Sequence, residues 1–306
     1  MAHTTTDEDR EGNDLATQSL PTPGAPRPAG TTASRIPSLS STSSSVRRSL
    51  TGAVSGFGEI CSMVLDSLVA MVVGIATRTF PWREYTEQTW FLISVTLLPT
   101  ILIAIPFGLI LVIEVGGTAT QVGATSIVGT VDAIAIVQQA APIITALLLS
   151  GAGGSAICSD LGARTIRDEI AALRVMGIDP VARLVAPRVL ATITVALLLN
   201  GVVAFAGVLT GYITSVVVLD LSAGSFLSSF SSFARVSDIV ESMFKAGLFG
   251  LLAAVVASHQ GLGVQRGPAG VGEAVNRSVV VTGLLLFLTN LLLSQIFIAA
   301  HPGGLL

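Results

Sequence analysis

The sequence predicts an all-α membrane protein, with an amphipathic helix at the membrane interface, five transmembrane helices, and a cytoplasmic helix between the second and third spans. Composition and pattern both lead to this fold class. Hydrophobic residues make up 51% of the 306-residue chain and charged residues only 11%, whereas soluble domains carry about 25% charged residues. The apolar residues are concentrated in long uncharged stretches, and a helix of about 20 apolar residues is enough to cross a bilayer.

The first 46 residues differ in composition from the rest of the chain. They are rich in Ser, Thr, Pro and Gly, and several acids lie near the start. Few large apolar side chains are present, so folding would bury too little surface to offset the loss of chain entropy. No apolar run typical of a signal peptide occurs there. We therefore expect a disordered cytoplasmic tail over 1–46 and a membrane domain over 47–306.

The segment 53–79 is predicted to be an amphipathic helix. Glu59, Ser62 and Asp66 share one face of it, and apolar residues cover the remainder. Such a helix can lie in the plane of the membrane interface. The alternative is a sixth span, but that would place Asp66 near the bilayer centre at a cost of about 3 kcal/mol. The interfacial position is therefore favoured.

Five segments that contain no Asp, Glu, Lys or Arg are predicted to span the membrane. They cover about 88–113, 133–159, 189–219, 246–265 and 278–300. The third contains the spacing Gly207-x-x-x-Gly211, which lets two helices approach closely in lipid.

The distribution of arginine predicts the orientation of the spans. Cytoplasmic loops carry an excess of Lys and Arg. The loop 114–132 has neither, whereas the loop between the second and third spans contains Arg164, Arg167, Arg174, Arg183 and Arg188. Alternation then places the N-terminus in the cytoplasm and the C-terminus outside a plasma (inner) membrane. In the outer loop 220–245, three phenylalanines predict a short surface helix.

Several classes of protein are excluded by what the sequence lacks. A Walker A loop ends in Gly-Lys-Ser/Thr, and Lys245, the only lysine, follows Phe244 and precedes Ala246. Three scattered histidines and two distant cysteines give no metal-binding or catalytic pattern. A net charge of −3 argues against nucleic-acid binding. We expect a chain that is not an enzyme and that itself holds no cofactor.

The cytoplasmic segment 160–188 is too charged to be a span but has a helical pattern. Ile166, Ile170, Leu173 and Gly177 fall on one stripe of a helix over 164–177. Gly177 is a suitable C-terminal cap, and Pro180 stops the helix. From the residues alone, this helix either rests on lipid or docks a soluble partner, and the pattern does not decide between them.

The same segment carries a family resemblance. The stretch GARTIRDEIAALRVMGIDP at 162–180, followed by LVAPRVL at 184–190, closely resembles the MlaE/YrbE permeases, which are membrane subunits of lipid-transporting ABC systems. APIITALLL at 141–149 and GAGGSA at 151–156 are similar to the second span of that family. PWREY at 81–85 and QTWF at 88–91 resemble the A-type YrbE of actinobacterial Mce operons. The sequence departs from the family at Asp168, where Glu or Gln is frequent, and at Ala171 and Arg174, where acids are frequent.

This resemblance implies partners and a cargo. A P-loop ATPase on another chain would bind ATP and Mg, a second YrbE-type permease would complete a hetero-oligomer, and MCE-domain proteins would lie outside. The cargo would be a phospholipid, a fatty acid or a sterol. The alternative function is a membrane scaffold or passive channel that is not coupled to an ATPase.

The resemblance also implies which residues act. The helix 164–177 would be the coupling helix, with Ile166, Ile170, Leu173 and Met176 filling a groove of the ATPase and Arg167, Glu169 and Arg174 pairing with charges at its rim. The predicted coupling site is completed by Arg164, Gly177, Asp179 and Pro180. We further expect lipid to lie between two permeases against the first and fifth spans, lined by Phe107, Leu111 and Val112. Glu114 either marks the outer mouth or is an exposed carboxylate at the end of a span.

Overall fold

The computed structural model of the protein describes residues 39–78, 80–233, 235–265 and 267–300. Residues 51–306 form one compact unit that contains every predicted span. Most of the predicted tail lies outside the described residues. Its last part does not, because the first helix begins at Leu39, inside the predicted tail. This helix continues into the apolar segment, and extending a formed helix is far easier than starting one.

Helices account for nearly all of the described residues, as the fold class predicts. They are α1 (Leu39–Ala76), α2 (Trp82–Gln121), α3 (Val128–Ile166), α4 (Glu169–Val175), α5 (Val181–Val217), α6 (Ala223–Phe233), α7 (Val236–Leu262) and α8 (Gly267–Ala300). Helix α3 contains π-helical segments at Ala133–Ala140 and Leu149–Gly153, and α5 opens with another at Val181–Val185. A short 3₁₀ turn, Thr125–Ile127, precedes α3.

The five long helices α2, α3, α5, α7 and α8 alternate in direction. At one end of the bundle the start of α2, the end of α3 and the start of α5 meet through the side chains of Glu84, Asp160 and Arg188. At the other end, α6 packs on the start of α3, where Thr130 donates to the carbonyl of Ser229 at 3.2 Å. The arginine-rich loop and the end of α8 are therefore at opposite ends, as the alternating topology requires.

Each predicted span corresponds to one of these helices, and each helix is longer than the uncharged stretch that predicted it. Including Gly58–Ala76 of α1, six helices of the described chain are long and apolar enough to cross a membrane. In α1, Glu59 contacts His259 in the last turn of α7 at 3.2 Å. The last residue of α1, Ala76, leads through a short turn to Glu84, at the same end of the bundle. The apolar part of α1, from Glu59 to Ala76, thus begins and ends near the same end of the bundle, and its interfacial position stays a prediction.

Small residues bring α2 and α5 together. A Cβ atom added at Gly108 would lie 2.7 Å from the carbonyl oxygen of Gly207. Added at Gly207 itself, a Cβ would meet the side chain of Ile136 at 2.8 Å. The close approach predicted from the glycine spacing in the third span is therefore present, and it joins α5 to both α2 and α3.

We expect Gly108→Leu to separate α2 from α5 and to destabilise the chain by about 1–3 kcal/mol or more, as overpacking does. The measurement is the midpoint of thermal unfolding in detergent. Gly117→Leu is the matched control on the same helix, because a Cβ at Gly117 meets nothing within 4 Å. Equal midpoints for the two variants would contradict this account of the crossing.

Candidate functional site

The loop between α3 and α5 does not contain the single helix predicted over 164–177. Helix α3 continues to Ile166, and the chain then turns at Arg167 and Asp168. Asp168 has a left-handed backbone, with φ of 57°. Arg164 and Ile166 thus belong to the end of a span, and α4 starts only at Glu169. The helical pattern of side chains persists through the turn, so the sequence pattern did not reveal the break.

The end of α4 is the part that the sequence predicted correctly. Gly177 has a left-handed backbone, with φ of 75°. Its backbone N–H donates to the carbonyl of Arg174 at 3.1 Å, and the backbone N–H of Ile178 donates to the carbonyl of Leu173 at 3.0 Å. This pair of bonds is the Schellman arrangement, in which a left-handed glycine ends a helix. Asp179 then accepts from the backbone N–H groups of Val181 and Ala182 at 3.0 and 3.3 Å, which fixes the start of α5.

One face of α4 is buried in the protein's own core, which corrects the predicted partner contacts. Ile170 is 4% exposed and belongs to the main core cluster, and Leu173 packs against the same cluster. These two side chains anchor the loop and are not available to fill a groove of another protein. The predicted stripe of apolar residues exists, but helical periodicity alone does not show whether such a stripe faces the protein's own core or a partner.

A different set of apolar side chains faces outward at the end of the loop. Val175 is 88% exposed, Met176 is 64% exposed and Ile178 is 41% exposed. We call these three residues the apolar tip. Of them, the sequence analysis named only Met176. Val175 and Ile178 flank the turn at Gly177, where a helical pattern no longer assigns a face.

The loop that carries the apolar tip also carries exposed charged side chains. Arg167 donates to Glu169 at 2.9 Å, with side chains 62% and 45% exposed. Arg174 and Arg183 are also exposed. Exposed pairs of this kind contribute little to stability, so these groups are free to make other contacts. The predicted roles of Arg167, Glu169 and Arg174 at a rim remain compatible with their positions.

A cluster of four charges lies at the base of the loop. Arg188, fully buried, contacts Asp160 and lies 3.3 Å from Glu84, and its guanidinium also donates to the carbonyl of Leu184 at 2.8 Å. Arg164 lies 3.3 Å from Asp160 and 3.9 Å from Glu84. Two acids and two arginines thus balance in charge. The cluster ties the start of α2 to both ends of the loop, and Arg164, predicted as part of the coupling site, makes its contacts inside the chain.

The predicted lipid-lining residues of α2 do not share one face. Phe107 is 43% exposed, Glu114 is exposed and Leu111 is half-buried; spacings of four and three residues place the three on one side of the helix. Val112 is 1% exposed and belongs to the buried row of α2 that includes Gly108. Val112 therefore packs inside this chain and is removed from the predicted lining.

Lys245 is a further buried charge, and its partner was not predicted from the sequence. It is fully buried in α7, 2.6 Å from Glu241 and 3.1 Å from the hydroxyl of Ser294 in α8. The uncharged span 246–265 begins directly after it, so α7 carries an ion pair into the bundle. A sole lysine four residues after a glutamate was the available signal, since such residues are neighbours on a helix.

Comparison with known proteins agrees with the motif in this loop. The family model described as Permease MlaE matches residues 85–296. A probable ABC transporter permease protein of Synechocystis is 30% identical over 187 residues, which are 61% of this chain and 71% of the relative. A protein of the same description from Rickettsia felis is 27% identical over 178 residues, 58% of this chain and 69% of the relative.

A chloroplast relative is similar over a shorter share of its length. The Arabidopsis thaliana protein TRIGALACTOSYLDIACYLGLYCEROL 1 is 30% identical over 178 residues, which are 58% of this chain and 51% of the relative. The family match covers α2 to α8 almost completely and includes the loop, the apolar tip and every member of the charge cluster except Glu84. The chain is therefore a multi-pass membrane protein that belongs to the MlaE permease family.

Proposed function

We propose that this chain is the membrane subunit of an ABC lipid transporter, and that the loop Glu169–Ile178 docks a separate P-loop ATPase. The observation that carries the proposal is the apolar tip. Three apolar side chains stand exposed on a loop whose opposite face is fixed in the core by Ile170. Exposed apolar groups rimmed by charges are typical of protein contact sites.

The packing of the loop also supports a role in transmitting motion. A push on the apolar tip would enter the core cluster, to which α3 and α7 contribute, through Ile170, which belongs to it, and Leu173, which packs against it. The charge cluster connects the base of the loop to α2 through Arg188 and Glu84. Closure of the ATPase on ATP and Mg, both held by that partner, would thus reach three spans at once.

A lipid cargo is supported by the chemistry of the spans and by the family. The five predicted spans contain no Asp, Glu, Lys or Arg, whereas ion-coupled transporters usually place such residues inside the membrane. The name of the Arabidopsis relative refers to a galactolipid. We propose a fatty acid, phospholipid or sterol as cargo, passed along the face of α2 that contains Phe107, Leu111 and Glu114.

The assembly follows from the same proposal. A second YrbE-type permease, as in the A-type YrbE of actinobacterial Mce systems, would face this chain across that side of α2, and MCE-domain proteins would receive or deliver lipid outside. The protein would lie in the plasma (inner) membrane and act in import. Its N-terminus and the arginine-rich loop would be cytoplasmic, and its C-terminus would be outside.

Reversing the charge of Glu169 tests the docking proposal. We expect Glu169→Lys to weaken ATPase binding by about 2 kcal/mol or more, as lost interface charge pairs do, which is roughly 30-fold. Thermal stability should not change, because the pair with Arg167 is exposed. The measurement is affinity purification of the tagged chain from its native membrane, followed by mass spectrometry of bound proteins.

Glu87→Lys is the matched control for this experiment. Glu87 forms a similar exposed pair with Arg83 at 2.8 Å, outside the loop. A P-loop ATPase that is retained by this control and lost from Glu169→Lys supports docking at the loop. A wild-type chain that is well folded and captures no ATPase, even after cross-linking, contradicts the proposal and favours the scaffold or passive channel.

A further inference from the structure

The start of α3 carries a carboxyl group that is buried against a glycine of α5. Asp132 is 1% exposed. A Cβ atom added at Gly211 would lie 2.6 Å from one of its carboxyl oxygens and 2.9 Å from the other. One turn away on each helix, a Cβ added at Gly207 would meet Ile136 at 2.8 Å. The glycine spacing in α5 therefore makes room for a carboxyl group at Gly211 as well as for an apolar side chain at Gly207.

No hydrogen bond compensates this carboxyl group within the described residues. Both of its oxygens are closed to solvent, and neither accepts a hydrogen bond. The hydroxyl of Ser215, one turn beyond Gly211 on α5, is also buried and also makes no hydrogen bond. An ionised Asp132 would thus be a charge without water and without a donor, which is a very costly state for a side chain.

The elements packed around Asp132 bring no free positive charge to it. The second half of α5 and the whole of α6 contain one titratable group, Tyr212. Glu114 of α2 is exposed and would itself be negative, and Lys245 of α7 is paired with Glu241. In a buried place without an opposite charge, the neutral form of an acid is favoured. The other charged groups at this end of the bundle lie after α5 and around the start of α7: Asp220, Arg235 and Asp238.

The helix is irregular directly beside this acid. The π-helical segment Ala133–Ala140 begins at the next residue, and the 3₁₀ turn Thr125–Ile127 lies shortly before it. Short π-helical segments occur frequently at functional sites. The irregular backbone and the unpaired carboxyl group therefore mark the same point of α3.

From these features we infer that Asp132 is a proton-binding site that holds the crossing of α3 and α5 closed. A proton needs no cavity, because it binds on the oxygen itself and turns that oxygen into a donor. With the proton bound, the neutral carboxyl group packs against Gly211. When the crossing opens, water enters and takes the proton, and the resulting carboxylate keeps the crossing open because it requires that water. The site lies at the α6 end of the bundle, opposite the loop proposed to dock the ATPase, and it is tested on this chain alone.

Infrared spectroscopy of the purified full-length chain, in a detergent without ester groups, tests whether Asp132 carries the proton. At about pH 6, exposed carboxyl groups are ionised, so the carbonyl band of a neutral carboxylic acid reports buried acids. We expect this band in the wild-type chain and its loss in Asp132→Asn. Glu114→Gln is the control, because it removes an exposed acid at the same end of the bundle and should retain the band. A wild-type spectrum equal to that of Asp132→Asn in this region would overturn the inference.

The reactivity of a cysteine at position 215 tests whether the proton governs the crossing. Ser215→Cys is made in a chain whose two cysteines, Cys61 and Cys158, are replaced by alanine. Its labelling rate with a small water-soluble thiol reagent is divided by the rate for Ser228→Cys, since Ser228 is exposed. This ratio should rise with pH by up to about tenfold per unit, the limit for release of one proton, and adding Asp132→Asn should remove that rise.

Two results of these experiments would contradict a proton-held crossing. One is the same pH profile of the labelling ratio with and without Asp132→Asn, because the crossing would then open independently of this acid. The other is an Asp132→Asn chain that unfolds at a lower temperature than the wild type at about pH 8, because the fold would then need the charge. We expect the reverse, since a group that is neutral when folded and ionised when unfolded loses stability as the pH rises.

Discussion

Methionine in place of Arg188 is expected to destabilise the folded chain by about 3 kcal/mol, the cost of removing one partner from a buried ion pair. Arg188 is fully buried and contacts both Asp160 and Glu84. The two acids are 37% and 23% exposed, so water compensates them in part, and the loss falls at the low end of such measurements. The midpoint of thermal unfolding in detergent measures this effect.

Arg183→Met is the control, because it also replaces an arginine by methionine near the start of α5. Arg183 is exposed, so its loss should leave the unfolding midpoint within experimental error. Arg188→Lys should fall between the two, since lysine keeps the charge but lacks the planar group that contacts several acceptors at once. An Arg188→Met chain that unfolds at the wild-type temperature would show that the charge cluster does not stabilise the base of the loop.

Aspartate at both Val175 and Met176 is expected to abolish ATP-driven transport. Both side chains are exposed in the isolated chain, at 88% and 64%, so the double variant should fold and insert normally. If the apolar tip is buried by the ATPase, two carboxylates would have to lose water there without partners, at a cost of several kcal/mol. Copurified ATPase and lipid transport in proteoliposomes should both fall to background.

Val122→Asp is the matched control for the tip variant. Val122 is 78% exposed and lies at the opposite end of the bundle, after α2. This variant should retain the ATPase. Wild-type amounts of ATPase on the Val175→Asp, Met176→Asp chain would show that the ATPase docks elsewhere on the chain.

The spans could be predicted from the sequence because lipid excludes charge, so uncharged stretches indicate where helices cross. The ends of the helices could not. The backbone continues to form hydrogen bonds beyond the apolar stretch, and polar residues at the surface do not stop it. For α1, the cost of burying Asp66 predicts an interfacial position, and the contact between Glu59 and His259 places the start of its apolar part beside the last turn of α7.

The motif identified the loop that holds the candidate site, but it did not predict which face of that loop is buried. The helical stripe identified Ile170 and Leu173, and both are apolar because they face the protein's own core. The helix breaks at Asp168, which has a left-handed backbone although it is not glycine. The local sequence therefore contains no glycine that would predict the break. The contact of Arg188 with Glu84 joins segments far apart in the sequence and depends on the packing of α2 against α5. The prediction that Val112 lines the lipid path was wrong for the same reason, because the sequence does not show which side of α2 packs inside the chain.

Cross-linking from the apolar tip tests the central claim most directly. A photoreactive amino acid replaces Met176 in the full chain, expressed with its natural partners in its own membrane, and the cross-linked products are identified by mass spectrometry. The same substitution at Val122 is the control. A P-loop ATPase attached at position 176, and absent at position 122, is the result that our account predicts. Products at position 176 that contain only lipid would contradict it, because the loop would then rest on the membrane and not on an ATPase.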